Sequence, residues 1–189
     1  MKISTTEFKF WEKMQSIGWD GKKVTLPDLK EDFSVWTTIL NSDQKVQEKC
    51  DLMEKLLKIG GSLDCVLTSG GDTLLMYITR IKKRESEDRF QLSKWLLEKG
   101  VDINIRDFEN EHVGFWLFGM EDKSDIEELT FLYLDSGLDT KLRSYYTGEP
   151  WENDVEIKNF VEIWNAKTLK SQLNHSLPLT AVKKSTTRI

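Results

Sequence analysis

Few side chains in this 189-residue chain could do chemistry. The histidines His112 and His175 could take up or release a proton near neutral pH. The cysteines Cys50 and Cys65 could act as nucleophiles or bind a soft metal. The carboxylate pairs Glu109/Glu111 and Glu127/Glu128 could serve as acid and base, or hold a hard cation. None stands in the arrangement its chemistry requires. Neither histidine has a serine or cysteine partner in a nucleophile motif, and His112 reads as a side chain that caps a turn. Two cysteines make neither a disulfide framework nor a metal ligand set, and reduced, buried thiols are expected. Gly70-Gly71-Asp72 opens a turn and lacks the rest of a phosphate-cradling loop. The carboxylates read as a solvated acidic face. No catalytic residue, no metal ligand and no cofactor are therefore expected, because activity has to be argued from a site.

The elements that would position any site announce themselves by repetition. Leu96-Leu97-Glu98-Lys99-Gly100-Val101-Asp102-Ile103-Asn104 has imperfect copies on both sides. Leu56-Leu57-Lys58-Ile59-Gly60-Gly61-Ser62-Leu63-Asp64 precedes it, and Tyr133-Leu134-Asp135-Ser136-Gly137-Leu138-Asp139-Thr140-Lys141 follows. Each is the apolar end of a helix, a glycine and a short extended segment. The glycines Gly60, Gly100 and Gly137 are spaced by 40 and 37 residues, a period that implies stacked units.

Between the copies, Gly71-Asp72-Thr73-Leu74-Leu75-Met76 resembles the opening turn of an ankyrin repeat, with Gly71, Thr73 and Leu75 at motif positions. Leu74 stands in place of the family's proline and Met76 in place of its histidine. In the next unit Asn110 falls where glycine is expected, and asparagine tolerates a left-handed backbone best among the other residues. His112 there replaces the threonine and Val113 the proline, and a degenerate last unit opens at Tyr145 to Trp151. The likeness runs from about Phe33 to Trp164. It implies an all-α fold: an ankyrin-repeat solenoid of paired antiparallel helices with β-turn fingers and helical caps. The expected organisation is a single domain over 1–175, with an N-terminal helical cap over 1–32 and repeats over 33–64, 65–104 and 105–141. A degenerate C-terminal repeat or cap spans 142–175, and 176–189 is expected as a mobile tail.

Helical spacing supports the caps. Phe10, Trp11, Met14 and Ile17 share one face, and Leu29, Phe33, Trp36 and Leu40 share another. Val155, Phe160, Val161 and Trp164 suit a closing helix, while Trp95, Trp116, Phe131 and Leu132 are expected in the core. No apolar run approaches the roughly 18 residues of a membrane span, and no secretory signal is seen, so a cytoplasmic location without membrane attachment is expected.

Charge is uneven. Residues 107–162 hold fifteen acidic and four basic residues, a net −11, whereas the whole chain carries −5. Such a field repels phosphates, so no nucleic-acid partner is expected; it favours a basic protein partner. The resemblance implies binding through β-turn fingertips and the concave ends of first helices. It carries this role to Asp72, Phe108, Glu109, Glu111, Tyr146 and Glu149 at or near fingertips, and to Arg80 and Met120 on the concave side. The size, acidity and repeat divergence are similar to those of ankyrin-type immunity proteins, which neutralise toxins, often nucleases with basic grooves. The sequence thus reads as a non-enzymatic inhibitor, monomeric when free. The alternative is an ankyrin scaffold, adaptor or effector that recruits another protein.

Overall fold

The computed structural model describes residues 10, 12–14, 16, 33–63, 70–80, 86–117, 120 and 123–176. Cys65, the start of the helix expected at Leu29, and the tail beyond Ser176 lie outside the described residues. The architecture is all-α. Six α-helices follow one another among the described residues: α1 (Phe33–Asn41), α2 (Val46–Lys58), α3 (Leu74–Arg80), α4 (Ser86–Glu98), α5 (Lys123–Asp135) and α6 (Val155–Ser176). Short 3-10 helices at Val113–Leu117 and Trp151–Asn153 precede α5 and α6. The only β pairing among the described residues is two isolated antiparallel bridges, Arg106 with His112 and Arg143 with Pro150.

The three copied segments end their helices with the same hydrogen bonds. Gly61 N–H donates to Leu56 C=O, Val101 to Leu96 and Leu138 to Tyr133, at 2.9, 3.3 and 3.0 Å. In each, the glycine one residue earlier donates to the next carbonyl along the helix, at 3.1, 3.0 and 3.1 Å. Gly60, Gly100 and Gly137 all have positive φ. This is the left-handed exit in which two otherwise orphaned carbonyls find donors. Helix starts are capped with equal economy. The Thr73 hydroxyl accepts the Met76 amide of α3 at 3.3 Å, and His112 Nδ1 accepts the Gly114 amide at 3.0 Å, so histidine performs the capping task expected of it.

Packing follows chain order in two layers. α2, α4, α5 and α6 lie side by side, each against the next. α3 packs on α4 and on the Val113–Leu117 helix, which packs on α5; the Trp151–Asn153 helix packs on α6. The spacing of apolar side chains makes this so. In α5, Ile126, Leu129, Tyr133 and Leu134 are buried at i, i+3, i+7 and i+8, while Glu127, Glu128 and Asp135 face water. Each such aliphatic side chain contributes roughly 1.5–3 kcal/mol by leaving water. Phe10, Met14, Trp36 and Leu40 are buried against the same core. Trp95, Trp116, Phe131 and Leu132 are half-buried and pack on it. Between the layers, the Tyr133 hydroxyl lies 2.6 Å from that of Thr79 and 3.3 Å from that of Ser93. Thr79 already donates to the Leu75 carbonyl at 2.8 Å, so Tyr133 is the donor to Thr79. Burial pushes its phenol up to about 12.

Two expectations are corrected. The third unit's first helix is a five-residue 3-10 helix rather than an α-helix. Gly114 and the aromatic run after it are weak helix formers, and Gly114 sits so close to His112 and Trp151 that an added Cβ would lie 2.7 and 2.8 Å from their rings. Val155, expected on the closing apolar face, is 90% exposed; Ile157 is buried in its stead, beside the expected Val161. Phe160 meets Phe131 edge-on at 6.4 Å, and Trp164 Nε1 donates to Asp135 at 2.7 Å.

Candidate functional site

Two turns project from the two-layer body, the first between Arg106 and His112 and the second between Arg143 and Pro150. The first is wound by its own side chain. The Asp107 carboxylate accepts the amides of Glu109 and Glu111, both at 2.9 Å, and Asn110 takes φ 63° to complete the turn. Burial raises the carboxyl of Asp107 above its ordinary range, and those two amides partly restore it. In the second turn Ser144 stands at the corresponding place, its hydroxyl accepting the amides of Tyr146 and Thr147 at 3.1 and 3.3 Å. Arg106 and Arg143 brace their own turns, reaching Asn110 Oδ1 at 2.8 Å and the Gly148 carbonyl at 2.9 Å.

The turns are joined to each other and to the preceding one. Phe108 N–H donates to the Gly70 carbonyl at 2.9 Å. Glu111 Oε1 accepts the Ser144 hydroxyl at 2.7 Å and the Tyr145 amide at 3.0 Å. A row of linked fingers results, and between the last two lies a groove of about 430 Å³. Among the described residues four carboxylates line it, those of Glu109, Glu111, Glu149 and Asp154, and no lysine or arginine does. Its apolar walls are Phe115, Trp116, Tyr146, Pro150 and Val155.

The groove gathers four of the residues expected to bind a partner: Glu109, Glu111, Tyr146 and Glu149. Tyr146 is 68% exposed, and the neighbouring Glu109 carboxylate pushes its phenol up to about 12. Glu149 is exposed and accepts Asn153 Nδ2 at 3.3 Å. Glu111 differs from expectation, since it is buried and ties one finger to the next. Phe108 is 76% exposed although one ring edge touches Gly71, so it leans on its neighbour without leaving water. Asp72 is buried and ion-paired with Arg80 at 3.1 Å. The Arg80 guanidinium lies 4.9 Å from the centroid of the ring of Trp116, itself a lining residue of the groove. Met120 is half-buried against the core and does not line the groove.

Sequence reasoning missed Tyr145, 71% exposed and edge-on to Tyr146 at 5.7 Å, and Val155. Tyr145 had a signal, since it stands 37 residues after Phe108, one repeat period on. Val155 had none. Trp116, read only as core, also forms part of the groove wall. Cys50 is buried, its thiol pushed up to about 11 chiefly by burial. His112 is fully buried and held low, to about 4, first by burial and then by the Arg106 charge. Among the described residues no helix is long and apolar enough to cross a membrane. No protein-family model matches the chain, and no curated protein is significantly similar to it.

Proposed function

We propose that this chain is a divergent ankyrin-repeat solenoid that binds another protein without catalysing a reaction, setting its acidic finger groove against a basic partner. Three identical helix exits at spacings of 40 and 37 residues, with fingers joined in series, support the repeat reading. The observation that carries the binding reading is the groove itself: four carboxylates with no lining cation among the described residues, beside the exposed rings of Phe108, Tyr145 and Tyr146. Aromatic side chains held in water beside charge are the residues that anchor interfaces. A basic substrate channel, such as that of a toxin or nuclease, has the complementary field, and an acidic surface would occupy it in place of nucleic acid. The role that fits best is an inhibitor or immunity protein acting as a monomer in the cytoplasm.

Affinity capture from host lysate at low and moderate salt, with mass spectrometric identification, tests this. One basic enzyme retained stoichiometrically, weakened by salt and silenced in its own assay, is the expected result. Several partners, or acidic ones, would overturn it. One observation favours the second reading, an adaptor or effector. A further groove, of about 750 Å³, opens between α5 and α6 and is lined by Phe131, Asp135, Trp164 and Lys167. The exposed Leu169 and Leu173 lie farther along α6. An adaptor needs such a second face; an inhibitor does not.

A further inference from the structure

We infer that the finger groove is a receptor for an arginine side chain of the partner, an inference that rests on the binding reading above and names its chemistry. Three observations point to the guanidinium. The first is charge, since the carboxylates of Glu109, Glu149 and Asp154 line the same groove as Glu111 with no lysine or arginine among the described lining residues. The second lies at Glu111. Both hydrogen bonds to its carboxylate fall on Oε1, while Oε2 is buried and has no donor among the described residues. A buried carboxylate oxygen without a donor is costly, and a cationic donor entering the groove removes that cost. The third is the wall, where the Trp116 and Tyr146 side chains line the groove. A planar, weakly hydrated guanidinium stacks on such rings and still offers donors at its edge, whereas a strongly hydrated ammonium does so less well. A groove of about 430 Å³ accommodates one such side chain, with its methylene stem along Pro150 and Val155.

The test needs no knowledge of the partner. Acetylated, amidated tri-arginine, tri-lysine and tri-citrulline peptides are titrated into ¹⁵N-labelled full-length protein, and the Trp116 indole N–H signal, assigned with Trp116→Phe, is followed. Tri-arginine should shift it saturably, with tri-lysine at least about fivefold weaker and the uncharged tri-citrulline without effect. Glu111→Gln keeps an oxygen acceptor for Ser144 and Tyr145 but removes the charge, and should weaken tri-arginine at least about fivefold. Glu128→Gln, the same charge change on the exposed face of α5, should leave binding unaltered. Should Glu111→Gln fail to fold, Glu149→Gln at the exposed groove edge takes its place with the same expectation. An unmoved indole, equal binding of arginine and lysine, or equal losses in the groove and α5 variants would each overturn the inference. Salt-sensitive capture of a basic partner that persists in Glu111→Gln would sink the arginine receptor and leave the binding reading standing.

Discussion

Glu111 and Ser144, 33 residues apart in the chain, are clasped at 2.7 Å by a hydrogen bond that joins two successive fingers. The same carboxylate oxygen takes the Tyr145 amide at 3.0 Å. A side chain does here what a backbone bond, Phe108 N–H to Gly70 C=O, does one finger earlier. The electronegative groove therefore has a structural carboxylate as one of its lining charges, and under the proposed binding role recognition and finger alignment would share that residue.

Removing that clasp should be felt as stability. Glu111→Ala leaves the Ser144 hydroxyl and the Tyr145 amide without their acceptor, which costs about 2 kcal/mol for buried groups bonded to a charge. Glu111→Gln should lose much less. Urea denaturation of the two variants measures this directly. An alanine variant within about 0.5 kcal/mol of the parent would mean that the fingers hold their alignment without the clasp.

The finger aromatics should behave in the opposite way. Phe108→Ala with Tyr146→Ala removes two rings that are 76% and 68% exposed, so the melting temperature should barely move. Partner binding should weaken by about 2 kcal/mol or more if they are interface anchors. Calorimetric titration alongside a thermal melt separates the effects, and a collapse in stability with unchanged affinity would assign both rings to packing instead.

What could be read in the sequence, and what could not, divides along local and non-local lines. The exits at Gly60, Gly100 and Gly137, the turn at Asn110 and the caps at Thr73 and His112 are local demands of the backbone, and each selects a residue type that shows in one dimension. The inward turn of Glu111 depends on partners 33 and 34 residues away, and a carboxylate there looks like any surface acid. The 3-10 form of Val113–Leu117 was hidden for a related reason, as it depends on how closely Gly114 approaches Trp151, 37 residues away. The groove combined both kinds. Its charge was plain from composition, whereas its floor and the aromatic Trp116 wall required the packing.

The glycines allow a comparison of conformation with space. Gly71 and Gly100 have similar positive φ, 90° and 86°. A Cβ on Gly100 would meet open space, but one on Gly71 would lie 2.7 Å from the Phe108 backbone nitrogen, at the bond between the fingers. Gly100→Ala should cost about 1–2 kcal/mol, the strain of a left-handed alanine. Gly71→Ala should cost clearly more and loosen the first finger contact, raising amide exchange at Phe108. Equal losses in chemical denaturation would show that the neighbouring finger yields freely.

The buried histidine should make stability depend on pH in the mildly acidic range. His112 is fully buried between Phe115, at 4.5 Å between centroids, and Trp151, at 6.0 Å. Its Nδ1 accepts the Gly114 amide, so Nε2 carries the proton of the neutral ring and finds no partner among the described residues. The folded imidazole is held down to about 4, mainly by burial, against 6.5 for a free one. As pH falls below the ordinary value the unfolded chain takes up a proton that the folded chain refuses. Stability is therefore full above that value and declines toward the depressed one, by about 2 kcal/mol between about pH 7 and about pH 5. His112→Thr keeps an oxygen to cap the turn, as Thr73 does for α3. It should be less stable at neutral pH because the space beside Phe115 and Trp151 is left unfilled, but it should lack this component of the pH slope. Asp107, whose carboxyl is raised, acts in the opposite sense and does so in both proteins, so it cancels in the difference. Urea denaturation across that range for the parent and the variant measures the difference, and parallel pH profiles would show that His112 takes up its proton without unfolding the turn.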